Sequence, residues 1–337
     1  MPRSERGPLP EGSLGGSVTA RSVSAAGDIL AAVTAATETL PVTAAVPTIG
    51  RVELLEECVR TILACDPAPA EILLVDQSGG TEVQAAMRAL APASGSPAVR
   101  VVSSPVRGIA LAMNTCLKEA AHDRVLITND DCTVAPDWVA HAWRHLEARP
   151  DGIVTGRVLP GGEGAWVPSL RDEPQPRDFT GELHFGALYA GNMGVDRRLA
   201  LENGGFDERR TFAISASDND FGYRWLRARR PMVYEPRMTV WHHDWRSDEQ
   251  LEKRWVEYAR GQGAVYAKHI HAGDRWILKR VATDMRDAAK AELKGLLKRR
   301  PRHEDERRAG LYYLPVGLFL GWRESRRIGA SPSSRAR

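Results

Sequence analysis

The sequence predicts an α/β fold on a doubly wound, mostly parallel sheet, and three observations carry that expectation. Between Leu40 and Thr128, apolar runs rich in Val, Leu and Ile alternate with segments of helical periodicity. Each run ends at a polar or glycine-containing break. Hydrophobic residues make up 43% and charged residues 26% of 337 residues, enough apolar material for a large catalytic core and too much for a disordered chain.

Leu40–Val46 reads as the first strand, ending at Pro47-Thr48-Ile49-Gly50-Arg51, and Val52–Ala64 follows with Val52, Leu55, Val59, Ile62 and Leu63 at helical spacing. Ala70–Val75 is the second strand. It closes at Asp76-Gln77-Ser78-Gly79-Gly80 and leads into a helix over Glu82–Leu90. Val99–Ser103 is a third strand, Ile109–Ala120 a third helix, and Arg124–Thr128 a fourth strand that stops at Asn129-Asp130-Asp131. Three polar breaks thus follow strands, and a parallel sheet gathers such breaks in a crevice beyond the strands' carboxyl ends. Beyond Pro150 the alternation weakens: Pro and Gly crowd 160–176, and short segments remain at His184–Ala190, Met193–Val195 and Met232–Val240. Ser217–Asp220 opens a helix over 219–229. Ile277, Val281, Met285, Ala289, Leu293 and Leu296 recur opposite Lys279, Arg286, Lys290 and Lys294, predicting a long terminal helix.

A net charge of +3, from 46 basic and 43 acidic side chains, supplies no whole-molecule field for nucleic acid, which is excluded as a partner. Basic residues gather locally at Lys279–Arg308 and Arg323–Arg337, where solvation and contact with an anionic membrane surface are both open readings. Cys58, Cys65, Cys116 and Cys132 form no C-x-x-C pair and read as reduced thiols. Arg3 and Arg6 are followed by Gly, Ser and Pro instead of a signal peptide's apolar core, so the expectation is a cytoplasmic protein, with the inner membrane face as a peripheral site.

The order of the motifs carries a resemblance. Val46-Pro47-Thr48-Ile49-Gly50-Arg51, Val75-Asp76-Gln77-Ser78, Arg107-Gly108 with Asn114, Thr128-Asn129-Asp130-Asp131-Cys132, Gly191-Asn192-Met193-Gly194, Gly204-Gly205-Phe206-Asp207, Ser217-Asp218-Asn219-Asp220 and Val240-Trp241-His242-His243-Asp244 stand in the sequence of glycosyltransferase family 2. From Pro41 to Gly273 the chain resembles that family. The resemblance implies the A-type glycosyltransferase fold, a nucleotide diphosphate sugar as donor with UDP favoured, and a divalent metal, Mg or Mn. It also implies inversion at the anomeric carbon and a hydroxyl acceptor on a glycan, a lipid-linked carrier or a small molecule.

By that resemblance Asp131 is a metal ligand, and Asn129 departs from the usual acidic triplet, leaving Asp130 for a ribose or sugar contact. A turn and helix cap is the rival reading of the same residues. Pro47, Thr48, Arg51, Asp76, Ser78, Arg107, Gly108 and Asn114 fall to the nucleotide sugar. Asn114 reads equally as a buried polar residue bonded to backbone. Asp218 takes the place of the family's catalytic base, with Ser217 where a Glu is usual, and Asp220, pointing elsewhere on the helix, is structural. His242, not its strand neighbour His243, joins the metal. Gly191 and Asn192 belong to the acceptor side, and Trp166, Tyr189 and Trp245 offer flat surfaces to sugar rings or to the core.

The organisation that follows is a flexible segment over 1–39, a catalytic domain over 40–273 and a helical, basic extension over 274–337. The catalytic domain divides into a nucleotide-binding half, 40–150, and an acceptor half, 151–273. The rivals are a sugar nucleotidylyltransferase, which needs a Gly-rich triphosphate loop after the first strand that Pro47–Arg51 is not, and a non-catalytic carbohydrate-binding protein on the same scaffold.

Overall fold

In the computed structural model, which describes residues 39–92, 96–162, 167, 169–213, 215–243, 248–297 and 306–330, a nine-stranded sheet runs through the molecule. Nearly all of the 1–39 segment, Trp166, Asp244, Trp245 and the arginines after residue 330 lie outside the described residues.

β1 (Thr39–Thr48), β2 (Ala68–Asp76), β3 (Ala98–Ser103) and β4 (Arg124–Thr128) form a parallel block in the order β3-β2-β1-β4. α1 (Val52–Leu63), α2 (Glu82–Leu90) and α3 (Ile109–Glu119) make the crossovers. Both faces of β1, β2 and β4 are covered, which is why these strands read as apolar runs, while the edge strand β3 is only partly buried and carries Arg100. Ala44, Val46, Ile72 and Leu74 point to one core with Leu55, Val59, Val83 and Trp138. Their neighbours Ala45, Leu73 and Val75 point to the other, with Met113, Leu117, Phe221 and Trp225. The register sets Thr48 opposite Asp76 and Asp76 opposite Ser103, so the carboxyl ends of the strands align. The polar breaks therefore meet along one edge.

Past β4 the sheet becomes mixed. β5 (Cys132–Val134) leaves the turn after β4, and α4 (Trp138–Ala148) follows it. β6 (Ile153–Pro160), β7 (Arg177–Asp178), β8 (Asn192–Asp196) and β9 (Met232–His242) complete the sheet. β8 pairs antiparallel with both β4 and β6, β6 runs parallel to β9, and β5 and β7 pair antiparallel with β9. The parallel pattern expected from the alternation thus holds through β4 and gives way where the alternation weakens. β6 was not among the expected strands, because Gly156, Pro160 and the Pro-rich stretch after it mask its period. Of the segment His184–Ala190, no part is a strand; Phe185, Ala187, Leu188 and Ala190 are buried from irregular backbone.

α5 (Arg197–Glu202) is capped by Asp196, whose carboxylate accepts the N–H groups of Arg198 and Leu199. α6 (Ser217–Arg227) crosses the second core. α7 (Asp248–His271), α8 (Arg275–Leu297) and α9 (Glu306–Ala330) form the helical C-terminal part, with α8 the expected terminal helix. Phe185, Tyr223, Val265, Tyr266, Ile277 and Leu314 build a third cluster that fastens these helices to α6. All four cysteines are buried and unpaired.

Candidate active site

β4 ends at Thr128, and the chain turns through Asn129, Asp130 and Asp131 before β5. Both carboxylates are buried and face one guanidinium. Arg51, at the start of α1, bonds Asp130 through two nitrogens and reaches Asp131 Oδ2 at 3.2 Å. Thr48 Oγ1 donates to Asp130 Oδ2 at 2.7 Å, tying the end of β1 to the same turn. Asp131 Oδ1 lies 3.4 Å from His242 Nε2 at the end of β9, and His242 Nδ1 lies 2.9 Å from Ser169 Oγ. His243 takes no part with the carboxylate side chain; its ring nitrogen is 3.0 Å from Thr133 Oγ1. Period-two alternation along β9 has separated the two histidines.

Across the cleft, α6 presents Asp218, half-buried, with its Oδ1 accepting the Asn219 N–H at 2.8 Å. Burial raises the Asp218 pKa above the usual carboxylate range, and the Asn219 N–H and the Arg171 charge act against that rise. Arg171 is itself held by the carbonyls of Ala187 and Gly186, each at 2.5 Å, so its charge is fixed beside the cleft. Asp220, fully buried, meets opposite surroundings. Arg224 Nε, Lys268 Nζ and His269 Nε2 each approach it at 2.9 Å. Burial works to raise its pKa, but the His269 hydrogen bond and the Arg224 and Lys268 charges hold it far below the ordinary range. Residues two apart on a helix diverge by about 200°, which sends one carboxylate to the cleft and the other to the scaffold.

A cleft of about 840 Å³ joins these groups, within the size of small-ligand sites. Pro47, Thr48, Arg51, Arg107, Gly108, Asp130, Asp131, Gly191, Asp218 and His242 all line it, as does Tyr189, whose hydroxyl accepts from Asn129 Nδ2 at 3.1 Å. Asp76, Ser78, Asn114 and Asn192 do not. The Asp76 carboxylate takes the Ser78 N–H at 2.8 Å, and Ser78 Oγ takes the Gly80 N–H at 3.1 Å. Asn114 bonds the Phe206 backbone in both directions, each at 2.8 Å, matching the rival reading of a buried polar residue. Asn192 accepts from Trp138 Nε1 at 2.9 Å and donates to the Arg157 and Met238 carbonyls at 2.8 Å, so its amide locks β8 into the sheet.

Several cleft residues were not anticipated. Gln77 is the pivot of the Arg107 loop: its amide donates to the Val106 carbonyl at 2.7 Å and accepts the Gly108 N–H at 3.1 Å. Its place directly after a strand whose end is polar was a usable signal. Ser169 and Arg171 sit in a Pro-rich stretch with no pattern that marks them. Arg254, Tyr258 and Gln262 come from α7, and their spacing of four is the only hint in the sequence.

Among the described residues, no group of three His, Cys, Asp or Glu side chains is gathered to hold a metal ion. The donor set still fits Mg or Mn. Such ions take carboxylate and phosphate oxygens, Mn tolerating an imidazole more readily than Mg, and in nucleotide sites Mg needs only one or two protein carboxylates beside substrate phosphates. Asp131 and His242 converge on the cleft as such a pair.

The sequence matches the family model described as "Glycosyl transferase family 2" over residues 43–227. A search of the curated proteins finds no match. Among solved structures, the chain is similar to a mannosyltransferase from Pyrobaculum calidifontis in complex with GDP-Man and Mn2+, with a TM-score of 0.54 and 20% identity over 92% of this chain and 83% of that one. It is also similar to S. aureus TarS residues 1–349 in complex with UDP-GlcNAc, with a TM-score of 0.53 and 12% identity over 86% and 92% of the two chains. At these identities the likeness speaks for the fold.

Proposed function

Proceeding from the fact that this chain belongs to glycosyl transferase family 2 and is a glycosyltransferase, we propose that it moves a sugar from a nucleotide diphosphate sugar, UDP-linked in the favoured reading, to an acceptor hydroxyl with inversion. Asp218 carries this reading: a half-buried carboxylate of raised pKa faces the cleft opposite the Asp130–Asp131 turn. A carboxylate so placed takes the acceptor's proton while the acceptor oxygen bonds to the anomeric carbon. The anomeric C–O bond breaks on the far side, and its electron pair leaves with the diphosphate. General-base help of this kind is worth about 10²–10⁴ in rate.

Asp131 and His242 would hold a divalent cation, which when bound neutralises charge on the leaving diphosphate. Arg51 fixes Asp130 beside them, and Arg107 and the N-terminus of α3 offer positive potential to the nucleotide side. Gly191 and α7 wall the acceptor side. The site roles of Asp76, Ser78, Asn114 and Asn192 become positioning roles in this reading: they hold the turns and strands on which the cleft residues stand. The 40–150 half then serves the donor and the 151–273 half the acceptor, with peripheral membrane contact assigned to the C-terminal extension. Natural acceptors in cell-surface polysaccharide, glycolipid or glycoside synthesis suit this reading.

Incubation with a panel of nucleotide sugars, with and without Mn2+, tests it. Nucleoside diphosphate should accumulate only with metal and rise with an acceptor present. Production of nucleotide sugar from nucleoside triphosphate and sugar phosphate would instead identify a nucleotidylyltransferase, and sugar binding with no turnover of any donor a carbohydrate-binding protein.

A further inference from the structure

α9 has two unlike faces. Leu314, Gly317, Gly321 and Ser325 recur at helical spacing and are buried. Gly317 lies against the Arg260 carbonyl, Gly321 against the Ala264 carbonyl and Gly263 against the Leu314 carbonyl, so closely that a Cβ at any of them would collide. α7 therefore fills that face completely. On the opposite face Val316, Phe319 and Trp322 stand open, Phe319 at 56% and Trp322 at 44% exposure. Arg323, Arg326 and Arg327 continue the same face and are exposed. The Arg323 guanidinium lies 5.8 Å from the Phe319 ring and that of Arg326 lies 4.9 Å from the Trp322 ring. Glu324, off this face, is half-buried and 3.9 Å from Arg327.

Further exposed apolar surface lies at the end of α8. The Tyr312 hydroxyl contacts Glu292 at 3.1 Å, which sets the first turns of α9 beside the last turns of α8. There Leu293, Leu296 and Leu297 are each more than half exposed, next in sequence to exposed Lys290 and Lys294.

Solvation accounts for the cations but not for Phe319, Trp322 and the three leucines, which water disfavours. Arg, Trp and Phe also suit a protein interface, and a dimer held by this face is the outcome that light scattering tests below. An amphipathic ring beside an arginine on one face of a helix matches a bilayer's boundary layer, where rings enter the acyl edge and guanidinium groups meet phosphates. Among the described residues no helix is long and apolar enough to cross a membrane.

We infer that the outer face of α9, together with the end of α8, is a docking surface for an anionic phospholipid bilayer, with the helix lying in the headgroup layer. Resting on the transferase reading above, this also names the acceptor class. Arg254, Tyr258 and Gln262 of α7 line the cleft while Arg260, Gly263 and Ala264 of the same helix meet α9. Packed helix axes lie about 8–10 Å apart, so one helix separates the acceptor wall from the lipid. A hydroxyl on a lipid-anchored carrier is the acceptor that this placement serves.

Flotation of the full chain with phosphatidylcholine vesicles, with and without phosphatidylglycerol, tests the inference. Recovery should require phosphatidylglycerol and fall as salt rises. It should drop roughly a hundredfold in the Arg323→Glu, Arg326→Glu, Arg327→Glu variant, at about fivefold per lost cation near the surface. Phe319→Ser with Trp322→Ser should weaken it on neutral ground, and melting temperatures of both variants report whether they fold; the salt dependence of the unmodified chain needs no variant. No flotation with anionic vesicles, equal flotation of all variants, or a dimer seen by light scattering that these variants dissolve would each overturn it. Donor turnover on the same preparations keeps the two readings apart: turnover without vesicle binding sinks only the membrane inference, and vesicle binding without turnover leaves the docking surface standing but removes the proposed transfer and the acceptor class that rests on it.

Discussion

The two carboxylate pairs of this molecule are handled in opposite ways. Asp130 and Asp131 lie on a turn, stay together at the cleft and share one guanidinium, Arg51. Asp218 and Asp220 lie on a helix and are split, one to the cleft near Arg171 and one into a basic nest on α6 and α7. A turn keeps neighbouring side chains on one side, whereas a helix rotates residues two apart to nearly opposite sides. The same acidic composition therefore gives a shared anionic site in one place and a division of labour in the other.

Removing a member of each pair should expose that contrast. Asp131→Ala should cost the largest factor, roughly a thousandfold or more in metal-dependent donor turnover, since a cation's charge stabilisation is worth several kcal/mol. Undiminished turnover in the variant, or in the presence of chelator, would break the comparison at its first term. Asp218→Asn should slow transfer by about 10²–10⁴ while donor affinity, measured by calorimetry, stays near that of the unmodified chain.

A smaller effect separates Asp218 from its setting. A base at Asp218 would work as a carboxylate, present above its pKa, and the Arg171 charge lowers that pKa. Arg171→Met should therefore move the acid limb of the kcat/KM profile to higher pH, and Arg171→Lys should leave it near its original place. A limb that stays put in both variants would mean that Arg171 only holds the 186–187 backbone.

The smallest effect on transfer belongs to Asp220→Asn, which should change the rate by no more than a few-fold. Its cost is stability. A helix-dipole carboxylate alone contributes about 0.3–1 kcal/mol, but breaking a buried, multiply paired charge costs on the order of 3–5 kcal/mol. Because the folded pKa of Asp220 is depressed, its stabilisation is full above the unfolded carboxylate pKa of about 3.9 and is lost as pH falls toward the folded value. The gap in melting temperature between the two proteins should thus narrow below about pH 4. Loss of transfer in Asp220→Asn with transfer kept in Asp218→Asn would exchange their roles.

Much of the parallel block was legible because burial on both faces leaves a plain trace. Ala70–Val75 has no polar face except Glu71, and its helix partners keep the 3.6 period. The motif turns after β1 and β4 were legible for the same reason: strand ends in such a sheet share an edge. The rest was hidden by long-range packing. α7 carries Gly261 and Gly263 in its interior, residues that read as breakers but here admit the backbones of its neighbours. Arg171 answers to carbonyls 15 and 16 residues away in a loop, and no local spacing encodes that. Asn114 and Asn192 belong to the fold, yet on a sequence they look as polar as the residues that face the cleft.

The burial of the cysteines has one consequence in time as well as in space. Cys58 donates to the Asn129 carbonyl at 3.4 Å, and Cys132 follows Asp131 directly, so both thiols lie beneath the turn that bears the acidic pair. A sulfur with no exposed surface reacts only when its cover lifts. The rate at which an alkylating reagent consumes Cys58 and Cys132, set against that of Cys116 in the core of α3, is therefore a clock for the opening of that turn. Ligands that close over the turn should slow its two thiols and leave the third on its own schedule.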